Sequence, residues 1–198
     1  ADDYYGSMAK DNVSYKTCVV APEVIEELMV PFLKEGINIL SITLSSGMSN
    51  AYSSYMMAKK HLEEKYPERK VAVVDSLRFS TPILMMNIKA SEMRAEGKSL
   101  DETAAWLEEN KNCFRQMGPM DDLKFLARAG RITNVKAFFG TLVGVNALGD
   151  FAPTGVSQVL TNVKGRGKAL QATVEYVKQT IVDPQEQTIF VSHTYRQK

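Results

Sequence analysis

Residues 37–62 limit what this chain can fold into more than any other stretch. The apolar run Ile37 to Leu44 is short and rich in Ile and Thr, which suits a buried strand. Ser45, Ser46, Gly47, Met48, Ser49 and Asn50 then form a hydroxyl-rich turn in which Gly47 is free to take a positive φ. Beyond it, Ala51, Tyr55, Ala58 and Leu62 recur at helical spacing. A strand that feeds a helix in this way is half of an open α/β unit, and such sheets bind ligands outside the carboxyl ends of their strands. The helix start supplies unpaired amides and the positive end of a dipole. A carboxylate or phosphate there would meet Ser45, Ser46 and Ser49. The plainer alternative is that Ser46 or Ser49 only caps the helix.

The rest of the chain repeats the alternation as far as residue 115. Pro22 suits the first turn of a helix, with Ile25, Leu28, Met29 and Phe32 as its apolar face. Pro31 should kink or shorten that helix. Lys70 to Val74 reads as a second strand ending at Asp75-Ser76. Pro82 opens a helix that Gly97 closes, and Ser99 with Glu102 has the spacing of a capping box. Strands separated by helices imply crossovers and a mostly parallel sheet. Gly118-Pro119 reads as a break. Residues 145–163 are dense in turn signals and predict a hairpin or small antiparallel sheet. A helix over 166–182, with Leu170, Val174 and Val177 on one side, and a last strand over 188–192 complete the reading. The fold class is therefore α/β: a first lobe over residues 1–115 and a smaller second lobe over 116–198.

Composition narrows the function classes. A net charge of +1 gives no global reason to expect nucleic acid or a membrane surface as partner. No apolar run approaches the length of a membrane span. The opening Ala-Asp-Asp-Tyr-Tyr-Gly lacks the basic start and apolar core of a signal peptide. Cys18 and Cys113 have no motif spacing, so a reducing, cytoplasmic setting is expected. His61 and His193 have no second ligand at metal spacing, and no cofactor is implied.

Two catalytic or binding alternatives compete at the same loop. Gly47-Met48-Ser49-Asn50-Ala51 is a degenerate nucleophile elbow, and Asp150 or Asp183 with His193 would complete a serine hydrolase. Against it, Ser49 lies several residues past the strand and the last Gly is Ala. A phosphate- or nucleotide-binding module is suggested by the helix N-terminus alone. The basic residues Arg128, Arg131 and Arg166 would make an anion-attracting face if the fold gathers them; a solvated surface is the default.

Several pieces together resemble the DegV family of bacterial fatty-acid-binding proteins, which includes lipid-presenting subunits of fatty acid kinase. They are Lys16-Thr17 before a helix, Ser45 to Tyr52 after a strand, and Val73-Val74-Asp75-Ser76. Asp121 to Ile132 and Val163 to Leu170 follow in the family's order. The resemblance implies a two-lobed α/β protein, not an enzyme itself. It implies a long-chain, palmitate-like fatty acid held between the lobes, its carboxylate meeting Thr17 and Ser49, and a fatty acid kinase as partner. Met56, Met57, Met85 and Met86 would then suit a tunnel wall, or ordinary core. Set against the family, the chain is expected to lack the opening strand with its Asp-Ser motif and the closing segment with a Gly-Thr-His-like loop. His193 is therefore given no head-group role. Cys18-Val19-Val20, Asn50 and Leu77 to Pro82 also depart from the usual pattern.

Overall fold

Side-chain alternation along two neighbouring strands decides where the first set of helices packs. The computed structural model describes residues 6–7, 15–120 and 145–193. Strands β1 (Ile39–Thr43) and β2 (Val71–Asp75) pair in parallel, Ile39 opposite Val71 and Thr43 opposite Asp75. Ile39, Val71 and Val73 point to one face, where helices α1 (Pro22–Lys34) and α2 (Ala51–Lys65) bury Ile25, Met29, Leu33, Ala58 and Leu62. Leu40, Ile42 and Val74 point to the other, where α3 (Thr81–Ala95) and α4 (Leu100–Asn110) bring Met86 and Leu107. Helices on both faces of a parallel pair are the α/β arrangement that the alternation of periods predicts.

Helix α1 departs from expectation twice. It runs through Pro31 to Lys34 instead of ending there. Pro31 removes one backbone bond, but Leu33 beyond it is 1 % exposed, so one more turn is held by burial. Its buried set is Ile25, Met29 and Leu33; Leu28 and Phe32 are exposed. The capping box at Ser99 forms as predicted, with Ser99 Oγ accepting from the Glu102 amide and the Glu102 carboxylate accepting from the Ser99 amide.

The second sheet is antiparallel, in the order β3 (Gly118–Met120), β4 (Val145–Phe151), β5 (Ser157–Lys164). The predicted hairpin is thus present. The Gly118-Pro119 break is instead strand: Pro119 lies opposite Leu148 on an edge strand, where a missing N–H is tolerated. Helix α5 (Arg166–Thr180) follows. It buries Ala169, while Leu170 and Val174 of its expected apolar side are exposed.

The chain divides into two compact units, residues 1–18 with 181–198, and residues 19–180. The expected lobe boundary near residue 115 falls inside the second unit. In the first, Pro184–Glu186 is a short 3-10 turn. Residues 188–192, expected as a strand, join no ladder among the described residues, and Ile189, Phe190 and Val191 are exposed. Among the described residues, no helix is long and apolar enough to cross a membrane.

Candidate functional site

The carboxyl ends of β1 and β2 lie side by side, so the loops that leave them meet. Ser45 is fully buried and acts as the pivot of its loop. Its Oγ donates to the Gly155 carbonyl at 2.7 Å and accepts from the Gly47 amide at 3.1 Å. Its carbonyl accepts from the amides of Met48 and Ser49. The hydroxyl proton is therefore spent inside the protein, and Ser45, expected among the ligand contacts, has none to offer a carboxylate in this arrangement. Ser46 is exposed, and its amide donates to Asp75 Oδ1 at 3.1 Å. Ser49 is half-buried, and its Oγ accepts from the Ala51 amide at 3.2 Å. That bond uses a lone pair, and the Ser49 hydroxyl proton meets no acceptor among the described residues. It also holds the oxygen at the first turn of α2, where the dipole favours an anion.

The loop is braced from both sides. Asp75 Oδ1 also accepts from the Leu77 amide, and the Arg78 carbonyl accepts from the Ser45 amide. Leu77 and Ser80 have φ of 52° and 56°, a conformation that side chains disfavour and that tends to mark functional loops. On the far side stands the β4–β5 turn. Gly155 has φ +78°, and a Cβ there would lie 2.2 Å from Ser45 Oγ. A Cβ on Gly47 would lie 2.9 Å from the Gly155 backbone. Only two glycines allow the loops this close.

Behind the turn is a buried polar cluster that the sequence does not announce. Arg78 is 2 % exposed. Its guanidinium donates to the carbonyls of Phe114 (2.8 Å), Leu77 (2.7 Å) and Ala152 (3.4 Å) and to Asn112 Oδ1 (3.1 Å). One side chain thereby ties the loop after β2 to the segment before β3 and to the β4–β5 turn. Burial lowers its pKa from the ordinary arginine value, partly offset by the charge of Asp150. Asp150, 3 % exposed, accepts from Arg115 Nη2 at 2.5 Å, from Tyr176 Oη at 2.7 Å and from the Phe151 amide at 2.6 Å. At Arg115, burial pulls the pKa down, but the hydrogen bond and charge of Asp150 outweigh it and the net shift is upward. Burial, then Asp150, raises the Tyr176 phenol. With its oxygens so occupied, Asp150, one of the two aspartates offered by the hydrolase alternative, is not placed to orient a histidine.

The remaining predicted residues are dispersed. Thr17 lies in the other unit and is exposed. Arg166, also exposed, is the first residue of α5. Arg128 and Arg131 lie outside the described residues. Met86 is core, whereas Met56 and Met57 are exposed. Sequence reading missed Arg78 and Arg115. A lone arginine in a loop carries no signal that its partners will be carbonyls.

Comparison with known proteins agrees with this architecture. The family model described as "Uncharacterised protein, DegV family" matches residues 1–198. A DegV domain-containing protein of Clostridium perfringens is 34% identical over 168 residues, covering 85% of this chain and 58% of that protein. The chain thus spans well under two thirds of that relative's length. A fatty-acid-binding DegV family protein from Streptococcus agalactiae superposes with a TM-score of 0.80 at 24% identity, covering 92% of this chain and 63% of that one. The Streptococcus pneumoniae fatty acid kinase B3 protein, solved with linoleic acid, gives 0.76 at 20% identity, covering 90% and 62%. A fatty-acid-binding relative from Thermus thermophilus gives 0.78 at 25%, covering 89% and 61%. The chain belongs to the DegV family.

Proposed function

We propose that the protein is a non-catalytic carrier that binds one long-chain fatty acid and presents its carboxylate to a fatty acid kinase. The observation that carries the reading is Ser49. Its hydroxyl follows the carboxyl end of β1 at the start of α2, its oxygen is held by the Ala51 amide, and its proton meets no acceptor among the described residues. A charge-assisted O–H to carboxylate bond is the interaction such a group makes best. Solved relatives described as fatty-acid-binding share the fold, which supports the choice of a fatty acid over other anions. The kinase partner is inferred from the pneumococcal relative.

Thr17 enters the proposal through its Lys16-Thr17 motif, as a second hydroxyl on the carboxylate. Ser46, exposed beside Ser49, is a further donor; Ser45 shapes the turn. Arg128, Arg131 and Arg166 are assigned to the kinase or to a phosphorylated head group, because a guanidinium gains much from such an oxyanion and little from an acyl tail.

Native mass spectrometry of the purified protein should show a bound mass in the fatty-acid range. In a titration with a fluorescent fatty acid, Ser49→Ala and Thr17→Val should each weaken binding roughly tenfold to a hundredfold, the loss of about 1.5–3 kcal/mol for a charge-assisted bond. Arg131→Glu should leave that affinity unchanged and slow phosphorylation of the bound lipid, most at low salt. Unchanged binding in both hydroxyl variants would remove them from the head-group site.

A further inference from the structure

A second polar site stands apart from the Ser49 hydroxyl. Between helix α5 and the β4–β5 hairpin lies a cavity of about 170 Å³, walled by Arg78, Asn112, Arg115, Asp150, Gln158 and Tyr176 among others. A water's share of the liquid is about 30 Å³, so there is room for more than one. The hydrogen-bond inventory of this wall is lopsided. Both oxygens of Asp150, the only carboxylate on it among the described residues, are taken, by Arg115, Tyr176 and the Phe151 amide. Tyr176 Oη accepts from Arg115 Nη2 at 2.9 Å and donates to Asp150. Asn112 Oδ1 accepts from Arg78.

What is left over among the described residues is mainly donors, with the Gln158 amide oxygen an unpaired acceptor beside them. Arg115 spends only Nη2; its Nε and Nη1 have no partner among the described residues. The Asn112 amide nitrogen and the Gln158 amide have none there either. Charge runs the same way: among the described residues two guanidiniums face one carboxylate, a balance of +1 on the cavity wall. Arg115 is 42 % exposed and so stands where solvent can reach the cavity, while Arg78 and Asp150 are fixed behind it. Asn112 and Arg115 are exposed, so water can reach these donors; an apolar ligand would displace that water without replacing its bonds, and a cation would be repelled. A ligand with several acceptor oxygens and negative charge satisfies both requirements.

We propose that this cavity is a binding site for a tetrahedral phosphate-type oxyanion, with Arg115 as its principal ligand and Asn112 and Gln158 as supporting donors. Asp150 and Tyr176 are positioning residues that hold the Arg115 fork, and Arg78 supplies fixed positive charge behind it. The proposal does not rest on the fatty-acid reading: none of its ligating residues belongs to the Ser45–Asn50 loop, which Arg78 touches only through its backbone carbonyl.

The test is a side-chain NMR titration of the 198-residue chain with inorganic phosphate and, in parallel, glycerol phosphate, with chloride at matched ionic strength as control. Saturable shifts of the Arg115 Nε–H and the Gln158 and Asn112 amide signals are expected. Tighter binding of the ester would mark a phosphomonoester as the natural ligand, and tighter inorganic phosphate a free anion; either supports the site. Arg115→Gln should weaken binding at least tenfold. Gln158→Leu, which leaves the Arg115–Asp150–Tyr176 contacts intact, should weaken it severalfold and guards against a folding defect in the first variant. An absent saturable shift, an equal response to chloride, or full binding in both variants would overturn the proposal.

Discussion

The parallel and the antiparallel sheets solve the problem of holding a loop still in different ways. Around β1 and β2 the work is apolar. Two clusters, one under each face, contain Leu33, Leu62 and Val71 on one side and Val74, Met86 and Leu107 on the other, all at or below 1 % exposure. Around β4 and β5 the buried set includes Ala147, Leu148 and Phe151, but also Asp150 and Ser157. There the join to α5 and to the neighbouring loops runs through Asp150, Arg115, Tyr176 and Arg78. Apolar burial is tolerant of small geometric errors and non-directional. A buried ionic network is directional, and it fixes which atoms face each other at the cost of desolvation. The Ser45–Asn50 loop sits where the two meet, anchored to Asp75 on the parallel side and to Gly155 on the antiparallel side.

The largest expected effect breaks the apolar side. Leu62 is 1 % exposed between α1, α2 and β2. Leu62→Ala removes its buried methyls and leaves a cavity, which costs about 2–5 kcal/mol. Denaturant titration should show the lower midpoint, and the m-value should be unchanged if both halves still unfold together. A lower m-value would mean that the antiparallel half persists on its own.

A smaller effect is expected from Asp150→Asn, which keeps the shape and removes the charge. It weakens the bonds from Arg115 and Tyr176 and leaves two guanidiniums facing each other. Bonds to a charged group contribute about 1.5–3 kcal/mol, and the partial exposure of Arg115 puts this change at the lower end. Hydrogen exchange should locate the loss. Amides of β4, β5 and α5 should lose protection while those of β1 and β2 keep theirs. Equal loss across both sheets would show that the two regions are one cooperative unit.

The same contrast explains what could be read from the sequence. The parallel half was legible because its signals are local: β-branched runs, helical spacing, a capping box, a Ser-rich turn after a strand. The hairpin was legible from its turn residues. Two things were not. The first is the face of an amphipathic helix that carries two apolar stripes. On α1, Ile25, Met29 and Leu33 repeat every four residues, and so do Val24, Leu28 and Phe32; spacing alone cannot choose between them, and only the first set is buried. Likewise α5 turns Ala169 and Tyr176 inward and leaves Leu170 and Val174 outside, because the phenol has a buried carboxylate to reach. The second is any role set by long-range partners. Nothing near Ser45 in the chain says that its proton goes to Gly155. For Ser49, the partner is two residues away, and its place at the helix start followed from the local pattern.

The smallest expected effect sharpens the comparison from the edge of the apolar half. Ser99 and Glu102 close the N-terminus of α4, the helix that delivers Leu107 to the core. Ser99→Ala removes a cap, and for a chain of this size that loss should lower the melting midpoint by about 2–4 °C. The pH dependence gives a sign that simple packing loss would not. Hydrogen bonds from the Ser99 amide and hydroxyl hold the Glu102 carboxylate below its ordinary pKa. A folded pKa below the unfolded one means that this contribution is fully present above the unfolded carboxylate value, near 4.3, and fades as pH falls through the folded one. The gap between native and Ser99→Ala midpoints should therefore be widest near neutrality and narrow on acidification below about pH 4. It should not close entirely, because the bond from the Glu102 amide to Ser99 Oγ involves no titrating group. A gap that stays constant across the series would show that the bond from the Ser99 hydroxyl to the carboxylate contributes nothing, since the bond from the residue 99 amide survives in the variant and cancels from the gap.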